Sequence, residues 1–310
     1  MTLREWIPQW LKTYKLGTIK ERSYHQLELL ARHIPDSLMD MELVDIKPMH
    51  LQDFINKFSA NASKSYMDKM RVMLHGLFST AVENELTTRN PSANLRIPQV
   101  IEKPRESFTA DEARKIVDFA LDYSHHRIAV AVIVLLFTGL RRGELLGLKW
   151  IDISGKTLSI KRGVYQEKGK AIVEDYKIKT SKSIRTIPLL PVVAHQIHSL
   201  PRRGEFIFGT SSGRLWHPRN FSRDYGSFFK ALRNKYPEVR TLSPHCCRHS
   251  FATLTLENCD NVFIVKELLG HTDISTTARY LHSNMNSMQK AVSGMENDLF
   301  PSLADTSCKS

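Results

Sequence analysis

Apolar residues in the first hundred positions return every third and fourth residue. Trp6, Ile7, Trp10, Leu11 and Tyr14 share one helical face, and Leu27, Leu30, Ala31 and Ile34 share another. That spacing predicts amphipathic helices, because 3.6 residues per turn bring positions i, i+3 and i+4 to one side. A third helix is expected to open after Lys47-Pro48, with Met49, Leu51, Phe54, Ile55 and Phe58 as its apolar stripe. A fourth should run from about residue 63 to 84, burying Tyr66, Met70, Met73, Leu74, Leu77, Phe78 and Ala81. Asn90-Pro91 and Ile97-Pro98 then break the pattern.

The second part has a different texture. Thr109-Ala110-Asp111-Glu112 reads as a capping box that starts a helix reaching about Tyr123. Residues 128–137 are apolar on all sides, as in a central buried helix. Beyond Trp150 the period shifts towards two. Ile151-Asp152-Ile153, a Ser-Gly-Lys turn and Thr157-Leu158-Ser159-Ile160 predict a hairpin. Residues 171–179 and 185–189 predict two more strands around a Thr-Ser-Lys-Ser turn, and helix resumes at Pro191 with an interruption near 204–213. The expected fold is mainly α with a small β-sheet, an α+β chain. A helical domain over 1–97, a linker over 98–106, a second domain over 107–285 and a terminal segment over 286–310 complete the layout.

Composition narrows the partners. The chain has 310 residues, 42% of them hydrophobic, enough for two domains with real cores. It carries 44 Lys and Arg against 32 Asp and Glu, a net charge of +12. The first hundred residues hold 13 basic and 11 acidic side chains, so the remainder carries +10. Such an excess favours a polyanion through steering and counterion release. Aromatics interleave with the basic runs (Trp150, Tyr165, Tyr176, Trp216, Tyr225), which suits either a phosphate-lined groove or a core edge. The helix expected near 217–235, with Arg219, Asn220, Arg223 and Lys230, is the best placed to read a major groove. Cys246, Cys247, Cys259 and Cys308 form no disulfide framework, which suits a reducing compartment. No apolar run approaches membrane-span length, so the expected location is cytoplasmic, without a membrane partner.

The chemistry lies in scattered segments. Arg141, Arg248, His245 and His271 stand in the second domain, a lysine-rich run covers 177–182, and Tyr280 follows His271 by nine residues. Together they can attack a phosphodiester without a metal. A phenol with an ordinary pKa of about 10 can act as nucleophile if positive charge or a base lies close. Planar guanidiniums bind the non-bridging oxygens bidentately. A lysine can protonate the departing oxygen, and imidazoles can donate or relay protons. His245, Cys246, Cys247 and His249 lack the second ligand pair of a structural zinc site, so no metal is expected.

Thr138-Gly139-Leu140-Arg141-Arg142-Gly143-Glu144-Leu145-Leu146-Gly147-Leu148-Lys149-Trp150 resembles the first arginine box of the tyrosine recombinases, the phage-integrase family. Ser243-Pro244-His245-Cys246-Cys247-Arg248-His249-Ser250-Phe251-Ala252-Thr253 resembles the second box. Leu268-Leu269-Gly270-His271 followed by Thr277-Ala278-Arg279-Tyr280 resembles the nucleophile segment. The first 97 residues are similar to the family's SAM-like core-DNA-binding domain in length and texture alone.

The resemblance implies a site-specific DNA recombinase in which Tyr280 forms a 3′-phosphotyrosyl bond. Arg141, Arg248 and His271 would hold the phosphate, and His245 would be the acid/base histidine. Lys179, ahead of Lys182 and Lys177, would be the lysine of a hairpin turn. Glu144 would support the site from one helical turn beyond Arg141, while Arg142 would point elsewhere. No cofactor is implied, because the tyrosyl ester conserves the energy of the broken bond. The implied partners are double-stranded DNA, a second protomer on each site, four protomers in the synapse, and an accessory excision or DNA-bending factor. In family members a C-terminal helix docks on a neighbouring subunit, the expectation for 286–310. Cys247 departs from the family's leucine at that position; as a small hydrophobe it should leave the chemistry intact.

The implied task is integration and excision of a phage or mobile element. Chromosome-dimer resolution or DNA inversion would use the same chemistry. A DNA-binding protein without catalysis would need a broken motif set, and a metal nuclease would lose activity to a chelator.

Overall fold

The computed structural model describes residues 1–99, 106–176, 184–259, 261–271 and 277. Lys177, Lys179, Lys182, Tyr280 and the segment 286–310 lie outside the described residues. The chain divides into two compact units, Met1–Pro104 and Arg105–Ser310.

The first unit is helical. α1 (Leu3–Trp10) starts in a capping box in which Thr2 and Glu5 satisfy each other's backbone N–H groups. It runs on through a π-helical turn, Leu11–Lys15, where the Leu16 N–H reaches back to the Leu11 carbonyl. α2 (Glu21–Ala31), α3 (Asp36–Met39), α4 (Pro48–Ser59) and α5 (Lys64–Glu83) follow. The predicted stripes meet in one core, where Trp6, Trp10, Leu30, Leu51, Ile55, Leu74, Leu77 and Phe78 are all buried. Both indoles find partners on α5: Trp6 Nε1–H donates to the Leu77 carbonyl and Trp10 Nε1–H to Thr80 Oγ1. Three local readings change. Met49 is 71% exposed, since the core face of α4 is carried by Leu51, Phe54 and Ile55. Met67, not Tyr66, is fully buried at the start of α5. The short α3 was too brief to show a period.

The second unit is built around α7 (His126–Thr138), whose residues from Ile128 to Leu135 are buried on every side. α6 (Ala110–Asp122), α9 (Pro191–His198), α10 (Pro218–Lys235) and α11 (Pro244–Cys259) pack against it. Full enclosure explains why its sequence shows no amphipathic period. α8 (Arg142–Gly147) follows after three residues, and α12 (Val262–Leu269) follows α11. Strands β1 (Ile153–Ser154), β2 (Thr157–Ile160) and β5 (Arg185–Pro188) form an antiparallel sheet in the order β1-β2-β5. β3 (Arg162–Glu167) and β4 (Lys170–Asp175) form a separate hairpin, paired Val164 to Val173 and turning at Lys168-Gly169.

This topology corrects the expected pairing around the lysine-rich run. The strands on either side of it, β4 and β5, do not pair with each other; β4 belongs to β3 and β5 to β2. The basic runs also resolve. Trp216 and Tyr225 are buried core residues, while Arg219, Asn220, Arg223 and Lys230 are exposed on the opposite side of α10.

The start of this unit is tied down by one carboxylate. Glu112 accepts the Thr109 N–H at the head of α6 and three N–H groups of Arg240, at 2.6–3.2 Å. The Arg240 hydrogen bonds outweigh burial and hold the Glu112 carboxyl at about 2. An unfolded carboxyl protonates near 4.3, so this stabilisation is present above that pH and is lost as pH falls towards 2. Glu112→Gln should therefore cost about 2 kcal/mol at neutral pH. Denaturant unfolding at a series of pH values should show the gap closing below about pH 4.3; a gap independent of pH would remove the carboxylate from this role.

Candidate active site

Arg141 owes its position to the end of α7. The helix stops at Gly139, in the left-handed region at φ 61°, and the buried Leu140 anchors the turn that leads into α8. A Cβ at residue 139 would lie 2.4 Å from the Phe251 ring and 2.8 Å from Leu269, so this glycine is needed for space as well as conformation. Arg141 itself caps α8, and its N–H donates to Glu144 Oε2 at 2.9 Å.

Glu144 has no exposed side-chain surface and sits among three guanidiniums. Arg141 Nη1 donates to Oε1 at 2.8 Å, Arg185 Nη1 and Nη2 donate to Oε1 and Oε2 at 3.2 and 2.9 Å, and Arg248 Nη1 lies 4.0 Å away. Burial pushes this carboxyl up, but the hydrogen bonds and charges of Arg185 and Arg141 prevail and hold it below its ordinary value. Arg142 instead donates to Ser222 on α10, pointing away from this cluster.

Arg248, on α11, is 1% exposed and joins two helix ends. It donates to the Gly139 carbonyl closing α7 at 2.8 Å and to the Leu269 carbonyl closing α12 at 2.7 Å. Arg185 Nε donates to the adjacent Leu268 carbonyl at 2.7 Å. The last carbonyls of a helix lack intrahelical partners and carry partial negative charge, so they bind cations well. α12 ends at Gly270, φ 65°, where a Cβ would press on the Arg185 side chain at 3.0 Å.

His271 comes next and is buried, with Nδ1 2.8 Å from Thr277 Oγ1. Burial, then the positive charges of Arg248, Arg141 and Arg185 and the neighbouring His245, push its imidazole down to about 4. It is neutral at physiological pH. His245 is exposed one helical turn before the buried His249, their rings 4.5 Å apart. Cys247 fills a core position beside Tyr225, and burial lifts its thiol to about 12, so it behaves as a small hydrophobe.

The structure thus brings together Arg141, Glu144, Arg248, His271 and His245, which sequence reasoning named from three separate segments. It adds Arg185 and Tyr176, whose hydroxyl packs by Gly163. Burial raises the Tyr176 phenol, which also feels Glu144, Arg141 and Arg185. Arg185 did leave a signal: alternation along β5 puts it on the same face as the buried Ile187 and Leu189, and it pairs across the strands with the buried Ile160. A charge at such a position needs a buried partner. Among the described residues no cluster of His, Cys, Asp and Glu could hold a metal ion, and no helix is long and apolar enough to cross a membrane.

Residues 106–287 match the Phage integrase family. The chain belongs to that family. Residues 2–59 match its N-terminal SAM-like domain. A tyrosine recombinase XerC-like protein of Caldanaerobacter subterraneus subsp. tengcongensis is 30% identical, with 85% of this chain and 74% of that one covered. This integrase-family chain is accordingly a tyrosine recombinase. Its fold resembles that of the Tn1549 transposon integrase in complex with a circular intermediate DNA (TM-score 0.79, 18% identity, covering 94% of this chain and 99% of that one). It also resembles the lambda integrase of a tetramer bound to a Holliday junction (TM-score 0.67, 21% identity, covering 91% and 78%).

Two measurements check this geometry in the recombinase. Gly139→Ala combines a left-handed backbone, costing about 1–2 kcal/mol, with a tight contact worth about 1–3 kcal/mol. It should lower the unfolding free energy by about 2–5 kcal/mol; an unchanged unfolding midpoint would contradict the contact. NMR of ring-labelled histidine should show His271 neutral down to about pH 5, since the folded imidazole titrates only near 4. A midpoint near 6.5 would contradict the burial of His271 among those guanidiniums.

Proposed function

We propose that this recombinase cleaves and rejoins duplex DNA at specific sites, with Tyr280 as nucleophile. The observation that carries the reading is the convergence of Arg141 and Arg248 on one buried carboxylate, with His271 among the same guanidiniums, from three segments up to 130 residues apart. Such a cluster suits a scissile phosphate. Its guanidiniums neutralise charge on the non-bridging oxygens as the transition state forms. If the neutral His271 accepts from Thr277 at Nδ1, its ring proton sits on Nε2 and becomes a further donor to those oxygens.

In the proposed step the phenol of Tyr280 loses its proton to His245 and its oxygen attacks phosphorus. The bond to the 5′ oxygen breaks, and Lys179 protonates that leaving oxygen. The products are a 3′-phosphotyrosyl ester and a free 5′-hydroxyl. Attack by a 5′-hydroxyl of a second strand reverses the sequence and restores the backbone, so no cofactor is consumed. Duplex DNA is the proposed partner, with two protomers on each site and four in the synapse, as for the lambda integrase tetramer on its junction. The exposed face of α10, with Arg219, Asn220, Arg223 and Lys230, is the proposed groove contact. An accessory bending or excision factor and a cytoplasmic location belong to the same proposal.

The first task we assign is integration and excision of a mobile element, supported by the fold shared with the Tn1549 transposon integrase over 94% of this chain. Chromosome-dimer resolution is the second, supported by the XerC-like relative. A duplex nicked near the cleavage point should trap a covalent protein–DNA adduct through the 3′ phosphate. Tyr280→Phe should abolish the adduct and leave DNA affinity intact. Arg141→Lys and Arg248→Lys should slow it by roughly 100- to 1000-fold, since a point charge cannot replace the fork. A full-speed Tyr280→Phe variant, or activity lost to a chelator, would reject the mechanism.

A further inference from the structure

Glu144 brings a full negative charge to the place where a phosphate is proposed to bind. It holds the Arg141 backbone and guanidinium, yet left with Arg141 alone it would neutralise that arginine and weaken its attraction for substrate. Arg185 stands differently. It grips Glu144 through both Nη atoms, and its side chain is only 7% exposed, whereas that of Arg141 is 41% exposed. The third nitrogen, Nε, is bound to the Leu268 carbonyl at the end of α12. Gly270 leaves the room in which this guanidinium lies, and pairing with Ile160 fixes its backbone on the inner side of the sheet.

We propose that Arg185 is a positioning residue for strand cleavage. It serves as the dedicated counter-ion of Glu144, so that Glu144 orients Arg141 without cancelling its charge, and Arg141 faces the phosphate as a net cation. The proposal rests on the phosphate clamp described above. Glu144 and Arg185 together are neutral, and the cluster presents the charges of Arg141 and Arg248. Without Arg185 the Glu144–Arg141 pair is neutral, and the clamp loses attraction while keeping its shape. By the same logic, removing the negative charge of Glu144 removes the need for Arg185.

The test uses the full chain and the nicked duplex, with DNA affinity and single-turnover adduct formation measured separately and unfolding midpoints recorded for every variant. Arg185→Gln should slow adduct formation about tenfold or more, less than the roughly 100- to 1000-fold loss of a direct contact. Affinity should change little, since it comes from many phosphates. The double variant Arg185→Gln/Glu144→Gln should react faster than Arg185→Gln alone at a temperature where the unfolding midpoints show both to be fully folded, so that the suppression reads charge and not stability. Arg185→Lys, which keeps the charge, should fall between the parent and Arg185→Gln. A double variant no faster than Arg185→Gln, or a lysine variant as slow as the glutamine one, would overturn the proposal. Should Arg185→Gln not fold, Arg185→Lys decides: a rate well above that of Arg141→Gln supports the counter-ion role, and an equal rate rejects it. Arg141→Gln at full speed would sink the clamp itself; a slow Arg141→Gln beside a full-speed Arg185→Gln would sink the counter-ion role alone.

Discussion

A single buried carboxylate organises this catalytic unit. Glu144 has no access to water, so its charge must be met by the protein, and three guanidiniums from distant parts of the chain do so. Removing any one partner would leave a poorly compensated ion in the interior. That penalty makes the cluster cooperative: the arginines are held by Glu144, and Glu144 is tolerable through them. An electropositive site is thereby assembled without stacking bare like charges against one another.

Helix ends supply the second constraint. α7 and α12 both terminate in glycines with left-handed backbones, and the carbonyls left unbonded there receive Arg248 and Arg185. The helices position the arginines through their free carbonyls, and the arginines lock the helices together through the same bonds. The close approach of Phe251 and Leu269 to Gly139 shows how little slack remains. His271, two residues past the end of α12, inherits its place from this junction, and its suppressed basicity follows from burial among those cations.

Charge therefore divides into two kinds. The exposed arginines and lysine of α10 lie on a solvated face over a stripe made of Phe221, Tyr225, Phe228, Phe229 and Leu232, an ordinary amphipathic arrangement. Arg185 and Arg248 are buried, so their energetics are set by specific partners and not by salt or solvent. Counting basic residues does not separate these classes, although only the second builds the site.

Local rules were sufficient for much of this protein. The Thr109–Glu112 capping box, the stripes of α4 and α5 and the enclosed α7 were readable because helix formation depends on residues three or four apart. The resemblance of three segments to the family's boxes named Arg141, Glu144, Arg248, His245 and His271. The β1–β2 hairpin was readable from its short turn, but the later strand partners were not: the lysine-rich run suggested a hairpin, yet β4 pairs with β3 and β5 with β2. Nor was Arg185 recognised, since its meaning depends on a carboxylate 41 positions earlier and a helix end 83 positions later. The chain by itself determined which groups were available and which helices would carry them. Tertiary structure decided which buried charge meets which partner, because that choice depends on long-range packing and desolvation that no local spacing encodes.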